Sequence, residues 1–239
     1  MWALRRAPLA ALCSPHRSSV CFVLRPSRTC GRAAHDLRGR TPRTAIADFG
    51  NQLAWVEADL AAAAQRRAAG ELSWMFVAGH RPVYSRLDTD ANGKPTGTSG
   101  DIQASFEALF LKYGVDLYVA GHMHSVEVSW PVANNTVTAQ SYVDPTAPVY
   151  VISGAAGCDE GHSDYSNAPT PSWNRFSDGT NYGLSAWRLP KRHSHVSLHS
   201  LLALAFAGVL DIHNGSAFTW TFRRATDGAT LDSFTLVRG

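Results

Sequence analysis

Apolar positions in this chain follow two rhythms, one helical and one extended. Leu53, Val56 and Leu60, with Trp55 beside them, fall at helical spacing and predict a helix over about 50–68; a second helix is predicted over about 100–113. Between and after these stand the continuous runs Trp74-Met75-Phe76-Val77 and Val115-Asp116-Leu117-Tyr118-Val119, which read as buried strands near 74–79 and 115–120. A crossover helix separates the two, so they are expected to pair in parallel. Antiparallel strands are predicted near 125–130, 149–153, 181–188, 217–224 and 230–236. The last two alternate apolar with polar residues around the turn residues Thr226-Asp227-Gly228. The fold class is therefore α/β: a mixed sheet with flanking helices that ends in an antiparallel hairpin.

Both buried runs end in the same chemistry. The first continues as Ala78-Gly79-His80-Arg81-Pro82-Val83-Tyr84-Ser85 and the second as Ala120-Gly121-His122-Met123-His124. A glycine after a strand lets the chain turn tightly and approach a ligand. Neutral histidine is the commonest side-chain metal ligand, so His80, His122 and His124 at the ends of adjacent strands are candidate ligands. On an extended segment His122 and His124 would point the same way, whereas a loop could aim them at two neighbouring metals.

The two phrases resemble the last two metal-binding motifs of the purple acid phosphatases, a branch of the calcineurin-like metallophosphoesterases. That family reads Gly-His-Arg-Pro-x-Tyr and then Gly-His-x-His, in this order and at about this distance. The resemblance extends to the helix at Gln52–Leu60, the strand and Gly-rich turn at Pro148–Gly157, and the closing hairpin from Phe218 to Leu236. It covers roughly residues 46–189 and 209–237. It implies the C-terminal half of a four-layer sandwich and a hydrolase of small phosphate monoesters. It also implies a binuclear metal centre of iron plus zinc, manganese or a second iron, with His80 and His122 on the divalent metal and His124 on the other. In such a centre the metal pair clamps the ester and lowers the pKa of an attacking water.

The earlier family motifs, Asp-x-Gly, Gly-Asp-x-x-Tyr and Gly-Asn-His-Glu, have no intact counterpart. Asp48-Phe49-Gly50-Asn51 imitates the first, but Gln52 and Leu53 follow it, and Asp48 reads better as a helix-start residue. The ligand set is thus incomplete, and this chain is expected to be weak or inactive as a phosphatase. Two alternatives stand beside that reading: a non-catalytic half-domain binding at most one metal, and another metallophosphoesterase such as a nucleotidase or phosphodiesterase. Arg81 and Tyr84 are candidate substrate-contacting residues and Arg86 lies close by; each has a structural reading as well. Glu127 is a candidate acceptor orienting a ligand imidazole, with a solvated strand carboxylate as the plainer role.

Composition alters this picture mainly at the edges. Residues 1–43 hold nine Arg, no Lys and one acid, a net of +8, while the remaining 196 residues carry −5. The basic balance therefore belongs to the tail, and no nucleic-acid surface is indicated on the domain. The Arg-rich, acid-poor tail has the composition of an organelle transit peptide; because it stands where the absent half-domain would be, it reads slightly better as sequence foreign to the native chain, and no folded element is expected in it. The domain proper is set at 44–239, with an apparent insertion at 190–208. There Lys191-Arg192-His193-Ser194-His195 and His199 lead into an apolar stretch too short to span a bilayer. Cys158 is alone in the domain, so no disulfide framework is available there. Asn134 and Asn214 begin glycosylation sequons, in keeping with the secreted or vacuolar location that the family resemblance implies.

Overall fold

Strand β2 (Trp74–Gly79) is apolar because both of its faces are covered, and that double covering organises the fold. The computed structural model describes residues 20–23, 52–157, 160–183, 186–188 and 208–239, with the backbone alone at 20–23 and 186–188. Met75 and Val77 point into a cluster with Val56, Leu60, Phe106, Phe110 and Tyr118. Trp74 and Phe76 point the other way, against Leu210, Phe218, Trp220, Phe234 and Leu236. This is the period of two expected of a strand buried on both sides. Three layers follow: helices, a six-stranded sheet and a four-stranded sheet.

The helical layer is α1 (Gln52–Ala68) and a second helix built of α2 (Gly97–Ile102), a π-type turn (Gln103–Glu107) and α3 (Ala108–Tyr113), close to the predicted spans. Gly114 ends it in the left-handed conformation, φ 68°, that a C-terminal cap requires. The large sheet has the order β1-β2-β3-β7-β4-β8, with β1 Val20–Val23, β3 Leu117–Ala120, β4 Val126–Ser129, β7 Val149–Ser153 and β8 Asn174–Asp178. As predicted, β2 and β3 are parallel neighbours, in register from Phe76↔Leu117 to Gly79↔Ala120. The remaining large-sheet strands depart from expectation in two respects: β8 has no predicted counterpart, and β7 is paired differently. β7 was expected to be antiparallel, but it inserts between β3 and β4, pairing in parallel with the first and antiparallel with the second.

A two-stranded hairpin, β5 (Val132–Ala133) and β6 (Thr136–Val137), turns through Asn134 and Asn135 at φ 49° and 68°. Asparagine tolerates those angles, and a two-residue hairpin turn demands them. The second sheet has the order β12-β11-β10-β9, with β9 Ala186–Arg188, β10 Val209–Ile212, β11 Ala217–Arg223 and β12 Thr230–Val237. β11 buries Phe218, Trp220 and Phe222 in strict alternation, as its pattern predicted. β9 was expected to be antiparallel; it pairs in parallel with β10. Residues 190–207 of the apparent insertion, including His193, His195 and His199, lie outside the described residues, as do Asp48 and Cys158.

The tail reading needs one correction. Four of its residues, Val20–Val23, form β1 and pair in parallel with β2 from Val20↔Trp74 to Val23↔Val77. The segment Val20-Cys21-Phe22-Val23 is apolar and β-prone, and a sheet edge offers unpaired backbone groups to such a strand. The rest of residues 1–43 lies outside the described residues.

Layers are tied at the end of β2 opposite the glycines by Asp116. Its buried carboxylate faces the guanidinium groups of Arg67 on α1 and Arg238 at the end of β12. It also accepts the Met75 amide at 2.6 Å. Arg67 donates in addition to the Gly114 carbonyl at 2.6 Å. One carboxylate thus joins a helix, two strands of the large sheet and the hairpin.

Candidate functional site

The parallel register of β2 and β3 carries both Gly-His phrases to the same sheet edge, the C-terminal one, where ligands gather in open α/β sheets. The Gly121 amide donates to the His80 carbonyl at 3.1 Å, so the two turns are joined directly. The His80 and His122 rings meet with centroids 5.2 Å apart and planes at 64°. Gly79 is required behind them, because a Cβ there would stand 2.2 Å from the Tyr118 hydroxyl. That hydroxyl donates to the Arg81 carbonyl at 2.7 Å, holding the chain just past His80.

His122 sits at φ 66°, in the left-handed region that a non-glycine residue enters only when its surroundings enforce it. Two three-residue turns follow in succession: Met123 N–H donates to the Gly121 carbonyl and Ser125 N–H to the Met123 carbonyl, both at 2.8 Å. The segment is a loop, not the extended alternative. Gly154, at the end of β7, packs against this loop so closely that a Cβ would lie 1.8 Å from the Met123 carbonyl oxygen.

Burial lowers the pKa of His80 and His122, and the Arg81 guanidinium lowers both further. The neighbouring imidazoles act in the same direction, His124 on His80 and both His80 and His124 on His122. Rings held neutral keep a lone pair for a cation. His124 stands apart in its partners: its Nδ1 lies 3.0 Å from the Gly161 carbonyl oxygen and its Nε2 lies 3.7 Å from a carboxylate oxygen of Glu160. Among the described residues, no three or more His, Cys, Asp and Glu side chains are grouped so as to hold a metal ion. A binuclear centre, whose two cations need a carboxylate between them, does not fit these residues by themselves. The neutral His80–His122 pair offers two donors toward a single divalent ion.

Tyr84 and Arg86 take the structural one of their two readings, and Glu127 takes neither of those it was given. Tyr84 is 2% exposed, and its hydroxyl donates to Glu107 at 2.6 Å while accepting from Gln103 and the Asn135 amide. Its ring packs edge-on to Tyr150 and Trp173, and burial pushes its hydroxyl pKa far up. It is a core residue without access to substrate. Glu127 is 2% exposed, not solvated, and its partners among the described residues are Ser85, the Arg86 amide, Tyr165 and Asn174, none an imidazole. Burial pushes its pKa up to about 6 against the hydrogen bonds it accepts. Arg86 clamps the segment opposite, donating to the carbonyls of Pro169 and Ala168 and to the Ser177 hydroxyl. Arg81 is exposed and bonded to Thr98 at 2.9 Å, with its charge felt by both imidazoles. Asn134 and Asn214 are both exposed at strand connections.

Residues 160–169 are the part of the site that sequence reasoning missed. Ser163 exchanges two bonds with His124, its hydroxyl accepting the His124 amide at 2.8 Å and its amide donating to the His124 carbonyl at 3.1 Å. The only signal was a polar run, Glu160 to Tyr165, immediately after the Gly-rich turn.

Comparisons with known proteins agree with the motifs. Residues 147–199 match the family model described as "Iron/zinc purple acid phosphatase-like protein C". Acid phosphatase type 7 of Danio rerio is 32% identical over 178 residues, covering 67% of this chain and 38% of that protein. Acid phosphatase A of Cryphonectria parasitica is 40% identical over 127 residues, covering 53% and 23%. The structure of a purple acid phosphatase from yellow lupin seeds superposes with a TM-score of 0.56 at 22% identity, covering 78% of this chain and 28% of that one, and shows the shared fold. The chain thus spans between about a quarter and two fifths of the length of these relatives.

Proposed function

Because this chain belongs to the purple acid phosphatase family, matching the C-terminal part of its catalytic domain, we propose that it carries the histidine half of a phosphomonoesterase site. The observation that carries this reading is the meeting of His80 and His122, each with its pKa lowered by burial, at the C-terminal ends of two neighbouring parallel strands. His80 and His122 would hold one divalent cation, and His124, on the same loop as His122, would serve the other metal where a second is bound. Arg81 supplies an exposed cation beside them, suited to the anionic oxygens of a small phosphate ester. The family centre supplies a polarised phosphate and an activated water when both metals are bound. No bridging carboxylate stands among the described groups, so turnover by residues 1–239 alone is weak or absent. A secreted or vacuolar location accompanies this reading.

The second reading is a half-domain that binds at most one metal without turnover, and the lack of a group of three ligands among the described residues favours it. Hydrolysis of a chromogenic phosphate monoester, with iron and zinc or manganese supplied, separates the two. Little or no turnover, with one divalent ion bound and lost in His122→Ala, is the expected result. Turnover abolished by His122→Ala would show that these residues suffice and that the ligand argument is wrong. Failure to bind any ion would leave only a structural relict.

A further inference from the structure

The segment from Gly161 to Tyr165 crosses the face of the second Gly-His loop and touches His124 at three points. The Gly161 carbonyl lies 3.0 Å from Nδ1, the Ser163 hydroxyl accepts the His124 amide, and the Ser163 amide donates to the His124 carbonyl. A carbonyl oxygen can only accept, so the Gly161 contact forms only when Nδ1 carries the proton. Two residues on, the strap is fastened to the sheet. The Tyr165 hydroxyl lies 2.7 Å from a Glu127 carboxylate oxygen and 2.6 Å from the Ser125 hydroxyl. With one phenolic proton it donates to the carboxylate, and Ser125 shares the other contact. The Arg86 guanidinium covers the Tyr165 ring at 4.9 Å and bonds the Ala168 and Pro169 carbonyls, closing the far end.

We propose that this strap is a positioning device for His124: it holds the imidazole as the Nδ1–H tautomer and so leaves the Nε2 lone pair, beside the Glu160 carboxylate 3.7 Å away, as the atom offered to a cation, with Tyr165 and Glu127 as its fastening. A carbonyl behind a ring nitrogen is how proteins select which nitrogen of a histidine is free. Glu127 therefore acts two contacts away from the ring, through Tyr165 and the strap backbone, and not as a direct partner of any imidazole. Its burial is what makes the fastening firm, since a charge-accepting bond inside the sheet is stronger than one in water. The role rests on His124 belonging to the site proposed above, but the tautomer is read on the ring itself and stands or falls separately from activity.

The test is imidazole 15N spectroscopy of the full chain without metal, at about pH 8.5, above the ordinary imidazole range. The wild-type ring is expected to show a protonated Nδ1 and an unprotonated Nε2. Tyr165→Phe removes the hydroxyl and keeps the ring under Arg86, and it should lower the Nδ1–H to Nε2–H ratio at least about threefold, the scale of one net hydrogen bond. Ser163→Ala removes the acceptor of the His124 amide and should shift the ratio the same way by a smaller amount. Asp164→Asn, at an exposed strap position whose partner among the described residues is Ser166, should leave it unchanged. A wild-type Nε2–H ring overturns the proposal. So does an unchanged ratio in both Tyr165→Phe and Ser163→Ala, and should Tyr165→Phe fail to fold, Ser163→Ala decides alone.

Discussion

Gly154→Ala is the sharpest perturbation the fold offers, because it strikes the His122–His124 loop from behind without touching a histidine. The added Cβ would stand 1.8 Å from the Met123 carbonyl oxygen and 2.9 Å from its carbon, both backbone atoms. Real Cβ contacts essentially never fall under 3.0 Å, so the loop or β7 must yield by more than an ångström. β7 is paired on both sides and fully buried, so the loop moves. Overpacking of this kind costs about 1–3 kcal/mol. The loop carries His122 at its strained φ, and an ångström of misplacement at a site costs on the order of 100-fold in what the site does. The expected outcome is a folded protein of lowered melting temperature whose affinity for zinc or cobalt falls at least about tenfold, measured by thermal melts and calorimetric titration. Unchanged melting and unchanged affinity would refute the packing argument. Loss of stability with normal affinity would refute the coupling between β7 and the histidine loop.

Other outcomes follow from the same contacts. Asp116→Ala leaves Arg67 and Arg238 without their shared buried anion and should cost about 3–5 kcal/mol in urea unfolding. Phe218→Ala empties a site packed edge-on by Trp74 and Phe76, and should cost about 3–5 kcal/mol by the same measurement. Glu127 has a folded pKa near 6, raised from 4.5, so its contribution to stability is complete below about pH 4.5 and is lost as pH rises through 6. The loss is about 2 kcal/mol, and Glu127→Gln should flatten that part of the stability–pH curve. His80→Ala should abolish binding of a divalent ion while leaving the melting temperature of the metal-free protein within about 2 °C, since the residue is exposed.

How much of this was legible depended on whether a segment's own pattern fixed its neighbours. β2, β3 and α1 were readable because continuous apolar runs and helical spacing each specify one kind of burial. The closing hairpin was readable from the alternation of Phe218, Trp220 and Phe222. β8 was missed because Asn174–Asp178 is polar and half-buried along its whole length, and it is held by its pairing with β4. The partner directions of β7 and β9 were missed for a topological reason: a strand's sequence does not say which strands flank it. At the site, the Gly-His phrases announced His80 and His122 but not the strap. Gly161 and Ser163 act largely through backbone atoms, which no side-chain motif records. Tyr84 kept two readings in the sequence, and packing decides for the structural one, because a motif position near a ligand is also a convenient place for a core aromatic.

The three-way grip of Asp116 has a consequence for synthesis of the chain. Its cations come from residues 67 and 238, and the apolar face of the large sheet at Trp74, Phe76 and Val119 is roofed by Phe218, Phe234 and Leu236. When β3 leaves the ribosome, that roof is still about a hundred residues from being made. At synthesis rates of about 5–20 residues per second, the greasy face stays open for roughly 5–20 seconds. During that interval the nascent sheet offers a wide apolar surface to its surroundings. Chaperone dependence in cells, and aggregation on rapid refolding, should therefore track changes in β11 and β12 more than changes in the helices.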